Sequence, residues 1–147
     1  MRMILSNVRK QLELIPEDRL NFRPMPEIRS LGELAVHMHS YLCEGPESVI
    51  AGKHVPTEEP VFTSKAELLK WTDRQVKTAY ELFAQLTDKQ ISQTIEAYGE
   101  KFPAAKMLSF TMDEVLHHRG QLTVYLRLLG VPPAFIYDFE TKEAPVA

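Results

Sequence analysis

Three short phrases constrain what this chain can fold into more than anything else in it: Ser30-Leu31-Gly32-Glu33, Ser64-Lys65-Ala66-Glu67 and Thr87-Asp88-Lys89-Gln90. Each sets a serine or threonine three residues before a glutamate or glutamine. That is the capping box, in which the two side chains satisfy orphan backbone N–H groups at a helix start. Apolar residues recur at spacings of three and four around them. Leu5, Val8, Leu12 and Ile15 mark a first helix stopped by Pro16, and residues 16–29 read as a structured connection with one turn at Glu17–Leu20. The helix opened by Ser30 carries Leu31, Leu34, Ala35, Met38 and Leu42; Gly45-Pro46 is expected to break or bend it before Gly52 ends it. Residues 53–63 read as loop, with Glu58-Glu59 solvated. The helix after Ser64 runs to Leu86, with Trp71, Tyr80 and Phe83 assigned to the core. The Thr87 box opens a short helix that ends before Tyr98-Gly99. Pro103 suits the start of a last helix over 104–129, closed by Gly130 and Pro132-Pro133. The aromatic tail of Phe135, Tyr137 and Phe139 is expected to pack back on the bundle. No strand-like alternation exceeds four residues. The prediction is an all-α, up-and-down four-helix bundle with a long first connection and a short extra helix, one domain over residues 1–147.

Composition narrows the function classes. Seventeen basic against twenty acidic side chains give a net charge of −3, with no basic block, which argues against a nucleic-acid partner. No uncharged stretch approaches the roughly 20 apolar residues of a membrane span. The single cysteine, Cys43, excludes an internal disulfide and a cysteine-rich zinc site, and reads as an inert, partly buried thiol. With no secretory h-region after Met1, a cytoplasmic location is expected.

The residues with chemistry to offer are five histidines: His37, His39, His54, His117 and His118. A helix advances about 100° per residue. On the last helix, His118 falls about 35° from the apolar centre, Glu114 about 75° and His117 about 135°. His118 therefore points inward and His117 outward. Glu114, one turn before His118, shares its face, and two side chains so spaced can bind one ion. On the second helix the count does not choose: His39 lies about 85° from the apolar centre and His37 about 115° on the other side, which mildly favours His39. Gln121 suits either a hydrogen bond to a ligand histidine or simple helix packing.

Two segments carry a family resemblance. His117-His118-Arg119-Gly120-Gln121-Leu122, followed by Val124-Tyr125-Leu126-Arg127-Leu128-Leu129-Gly130-Val131-Pro132, resembles the last helix of the DinB/YfiT-like superfamily. Arg29-Ser30-Leu31-Gly32-Glu33-Leu34-Ala35-Val36-His37 resembles its second helix, and Phe22-Arg23-Pro24 the arginine–proline pair that precedes it. The resemblance implies a four-helix bundle, often a homodimer, with a three-histidine metal site at one end. The matching ligands here are His37, Glu114 and His118, with Glu114 where the family usually has histidine. His39, His54 and His117 are not expected to ligate.

Two functions follow. The resemblance includes metal-dependent transferases and isomerases that use low-molecular-weight thiols such as mycothiol and bacillithiol. It implies an enzyme in which one divalent ion (zinc, nickel, iron or manganese) activates a bound thiol or water against a small electrophilic substrate, as transferase or hydrolase. No separate general base is evident. The glutamate at a ligand position favours the alternative, a non-catalytic dimeric bundle with a degenerate metal site that binds a small ligand or partner.

Overall fold

The computed structural model describes residues 1–138. Its helices are α1 (Arg2–Glu13), α2 (Leu31–Ala51), α3 (Lys65–Gln85), α4 (Asp88–Ile91) and α5 (Ala104–Leu128). A single 3-10 turn, Glu17–Arg19, lies in the long first connection. Four of the five helices are long, and they assemble as an all-α bundle in which α2 packs most extensively on α5 and next on α3, while α1 packs on α5 and α3. At each predicted capping site the serine or threonine accepts from the N3 backbone N–H. The reciprocal half of the box forms at Ser30 and Thr87.

The burial of α2 explains much of its chemistry. Sixteen of its 21 residues are buried, so the helix has almost no solvent face. Gly45-Pro46 does not break it. Proline forfeits one helical hydrogen bond, yet α2 continues to Ala51. A methyl group at Gly45 would sit 2.3 Å from Thr111 Oγ1 and 3.2 Å from the Met107 carbonyl oxygen. The pair marks the point where α2 and α5 approach too closely for a side chain.

The stretch between α4 and α5 corrects the expected short helix. The Thr87 box supports only four helical residues. Thr94–Ala97 and Glu100–Pro103 then form an antiparallel hairpin, β1 and β2, with Ile95 opposite Phe102. The turn residues Tyr98 (φ 55°) and Gly99 (φ 78°) both lie in the left-handed region, as a tight two-residue hairpin turn requires. Ile95 is driven inward against Val49, Ala104 and Met107, forming a small core at this end of the bundle.

Two further expectations need adjustment. Of the α3 aromatics, Trp71 is buried, whereas Tyr80 and Phe83 are only half-buried. The tail does return to α1, through two backbone carbonyls and the Asp138 carboxylate, which accepts from Lys10 Nζ at 2.8 Å. Asn7 Nδ2 donates to the Phe135 carbonyl at 3.0 Å and Gln11 Nε2 to the Ala134 carbonyl at 3.1 Å, while the rings of Phe135 and Tyr137 stay exposed. Phe139 lies outside the described residues. No helix among them is long and apolar enough to cross a membrane.

Candidate metal centre

The site begins at the start of α2. Ser30 and Glu33 exchange capping hydrogen bonds, and Arg23 donates from one Nη to both Glu33 oxygens at 3.0 Å. The Ser30 backbone N–H, followed by the Arg23 charge, holds the Glu33 carboxyl below its ordinary range. The Phe22-Arg23-Pro24 segment thus clamps the first turn of α2, and His37 rises from the second.

His37, Glu114 and His118 converge where α2 meets α5, each offering one ligand atom, all within 4.8 Å of one another. Glu114 Oε2 lies 2.9 Å from His118 Nε2 and 3.5 Å from His37 Nε2. The histidine rings meet edge to face with centroids 4.9 Å apart. Their outer nitrogens are engaged elsewhere. His118 Nδ1 meets Gln121 Oε1 at 2.8 Å, and Gln121 is oriented by its Nε2, 2.9 Å from His117 Nε2. His37 Nδ1 meets Glu59 Oε1 at 2.5 Å. Assigning the protons to satisfy this network places N–H on both Nδ1 atoms. Two imidazole lone pairs and a carboxylate oxygen are then left facing one point, with no hydrogen between them. Such a cluster calls for a cation or a proton.

Electrostatics favours the cation. Burial pushes the His118 imidazole below its ordinary pKa; Gln121 and Glu114 pull the other way, and His37 and His117 add to the lowering. The ring is thereby kept neutral, the form a ligand needs. The Tyr41 ring packs edge-on at 4.9 Å from His37. Burial, then the charges of Glu44, Glu114 and Glu59, raise its phenol, so it walls the site as a neutral group. Two carboxyl side chains, Glu59 and Glu114, stand against the histidines, an acidic setting suited to a divalent ion. Two imidazole nitrogens and one carboxylate oxygen form a donor set that zinc, iron, nickel and manganese accept.

The remaining histidines do other things. His39 is more buried than His37, as the helix count suggested, but its Nδ1 donates to the Ala35 carbonyl at 2.7 Å, inside the core. Burial drops its pKa to about 4. His117 is exposed. His54 Nε2 lies 3.0 Å from Glu44 Oε1, a buried carboxylate that also accepts from the Tyr98 hydroxyl. Cys43 is fully rather than partly buried, with its thiol pushed up to about 12 by burial and directed at Gln75.

Glu59 is the site residue that sequence reasoning missed, taking it for a solvated loop charge. The loop lies alongside α2, antiparallel to it. The Val55 N–H donates to Ser48 Oγ at 3.0 Å, the Thr57 hydroxyl to Glu44 Oε2 at 3.3 Å, and Ser40 Oγ to the Glu58 carbonyl at 3.2 Å. Glu59 then reaches His37. No local pattern announces a contact between residues 22 apart. Tyr41 did carry a signal: it stands one turn after His37, on the same face.

The sequence profile of the DinB family matches residues 6–145. The chain belongs to the DinB family. Among relatives, the uncharacterized protein YjoA of Bacillus subtilis (strain 168) is 25% identical over 128 residues, 84% of this chain and 83% of its own. The uncharacterized protein YrdA of the same organism is 24% identical over 136 residues, 91% of this chain and 81% of its own. The crystal structure of the DinB-like protein YjoA superposes with a TM-score of 0.75 at 24% identity, covering 95% of this chain and 94% of that one. A DinB-like protein from Bacillus cereus ATCC 10987 gives a TM-score of 0.74 at 24% identity, over 92% and 91%. These likenesses establish a common DinB fold; the ligand cluster is this chain's own geometry.

Proposed function

We propose that this DinB-family protein is a metal-dependent enzyme holding one divalent ion through His37 Nε2, Glu114 and His118 Nε2. In this reading it acts on a small electrophilic molecule as a thiol-dependent transferase or a hydrolase. The observation that carries the reading is the meeting of three electron-pair donors at one point, with both histidines held by their opposite nitrogens. A divalent ion bound there supplies Lewis acidity, which lowers the pKa of a thiol or water at neutral pH. The chain's own residues bind and orient. Glu59 and Gln121 fix the ring planes and tautomers, as outer partners of metal-ligating histidines commonly do. Tyr41 closes one side without adding charge. Three protein ligands leave room for an exogenous one, the arrangement of catalytic rather than structural sites. We place the protein in the cytoplasm as a homodimer; Leu116, Val124 and Leu128 form an exposed apolar row along α5 that suits such a contact.

The test is the metal content of protein purified without an affinity tag, followed by competitive titration at pH 7. One ion per chain is expected, lost in His37→Ala, Glu114→Ala and His118→Ala and retained in His117→Ala. Glu114→His should tighten zinc, which imidazole suits. Metal-free protein whose thermal stability ignores both chelator and added metal would sink the reading in favour of a ligand-binding bundle without chemistry.

A further inference from the structure

A cavity of about 700 Å³ opens beside the candidate metal centre, between the first connection and α5. Its lining includes Arg23, Glu27, Arg29, Glu33, His118 and Tyr125. That volume suits a small-molecule ligand, and His118 gives the cavity direct access to the proposed ligand set.

The two arginines differ in what they are free to do. Arg23 is engaged through both Nη atoms: one holds both oxygens of Glu33, and the other reaches the carbonyls of Pro26 at 3.4 Å and Ile28 at 3.2 Å. The Arg29 guanidinium has no hydrogen-bond or ion-pair partner among the described residues. Its backbone, by contrast, is fixed. The buried Tyr125 donates its hydroxyl to the Arg29 carbonyl at 3.0 Å, and the next residue, Ser30, is the N-cap of α2. The charges of Arg23 and Arg29 both act on the Tyr125 hydroxyl. Once Arg23 and Glu33 cancel, Arg29 is the remaining cation of the cavity and Glu27 the remaining carboxylate. A planar fork with five N–H donors on an anchored backbone matches a carboxylate.

We propose that this cavity is a carboxylate-binding subsite, in which Arg29 holds the acid group of a small substrate or thiol whose other end reaches the metal centre. The proposal rests on the metal-enzyme reading above and names the chemical class of what it binds. Arg29 orients the ligand; Tyr125 positions Arg29; Glu27 opposes a second negative group at the mouth.

The experiment loads the full chain with cobalt(II) and compares 3-mercaptopropionate with 3-mercaptopropionamide, a pair of equal size differing in charge. Thiolate-to-cobalt absorption reads binding at pH 7 and low salt. Wild type should bind the acid about tenfold more tightly than the amide, as expected for one charge-assisted contact. Arg29→Gln should bring the ratio close to one and leave the amide's affinity unchanged. Glu27→Gln should hold or raise the ratio. A ratio that is the same in wild type and Arg29→Gln overturns the proposal. If cobalt is not taken up, the metal reading fails by itself and the metal-free protein decides the subsite. A shift of the Arg29 Nε resonance with millimolar 3-mercaptopropionate, and not with the amide, then supports it; no shift with either overturns it.

Discussion

His39 should make this protein acid-sensitive by an amount that can be worked out. The ring is buried, donates to the Ala35 carbonyl, and has its pKa lowered from 6.5 to about 4, chiefly by burial. In the unfolded chain it titrates near 6.5. The unfolded state therefore binds a proton that the folded state refuses between those values, so this contribution is intact above pH 6.5 and shrinks as pH falls towards 4. At about 1.36 kcal/mol per pKa unit the full loss is roughly 3 kcal/mol, and between pH 7.5 and 4.5 it is about 2.5 kcal/mol. His39→Asn keeps a donor near the Ala35 carbonyl and removes the titration. Urea unfolding followed by circular dichroism at pH 7.5, 6, 5 and 4.5 would give both stability curves. The variant should be less stable at neutral pH, because a ring has been removed from the core. The gap should then close by about 2.5 kcal/mol on acidification. Carboxylates and His118 contribute similarly to both proteins and drop out of the difference. Parallel curves would refute the reasoning, by showing that His39 protonates in place or that the core opens locally to let it.

Glu59→Gln should weaken metal binding about tenfold or more in a competitive titration, since the carboxylate sets the orientation and basicity of His37; unchanged affinity would remove Glu59 from the site. Gly45→Ala should destabilise the fold by about 1–3 kcal/mol in thermal unfolding, because the new methyl meets Thr111 Oγ1 at 2.3 Å. Adding Thr111→Ala should recover most of that, and no recovery would place the strain on the Met107 carbonyl instead. Val124→Glu, in the middle of the exposed α5 row, should convert a dimer into monomers by sedimentation at micromolar concentration; a wild-type monomer would dispose of that surface as an interface.

Helix starts were legible because capping chemistry is local: Ser30, Ser64 and Thr87 each accept the hydrogen bond their spacing implied. His118 was legible because α5 has a solvent side, and a helix with two sides has a readable stripe. On α2 the same count faltered between His37 and His39, since a helix packed on both α3 and α5 buries nearly every direction. There the distinction is made by what each ring meets, a carbonyl for His39 and two carboxylates for His37. The hairpin was missed because four-residue strands lie below any safe threshold for alternation, and its turn holds Tyr98 in a conformation that side chains usually avoid. Glu59 was illegible for a different reason: its partner is set by the path of a loop, which no spacing rule describes.

That loop has a consequence for which changes the protein tolerates. Its contacts fall on Ser48, Glu44, Ser40 and His37, one rung for each turn of α2, over eleven residues or about 16 Å of helix. Val55 and Glu58 contribute only backbone atoms, so their side chains can drift through many identities without loosening a rung. Pro56, lacking an N–H, sits between two rungs where none is asked for. Length is another matter. One residue gained or lost between Val55 and Glu59 puts every later group out of step, and a single insertion in α2 between Ser48 and His37 swings the far rungs about 100° around the helix. The loop works as a ruler laid against α2, and the carboxylate at its end reaches His37 only while the number of residues is kept.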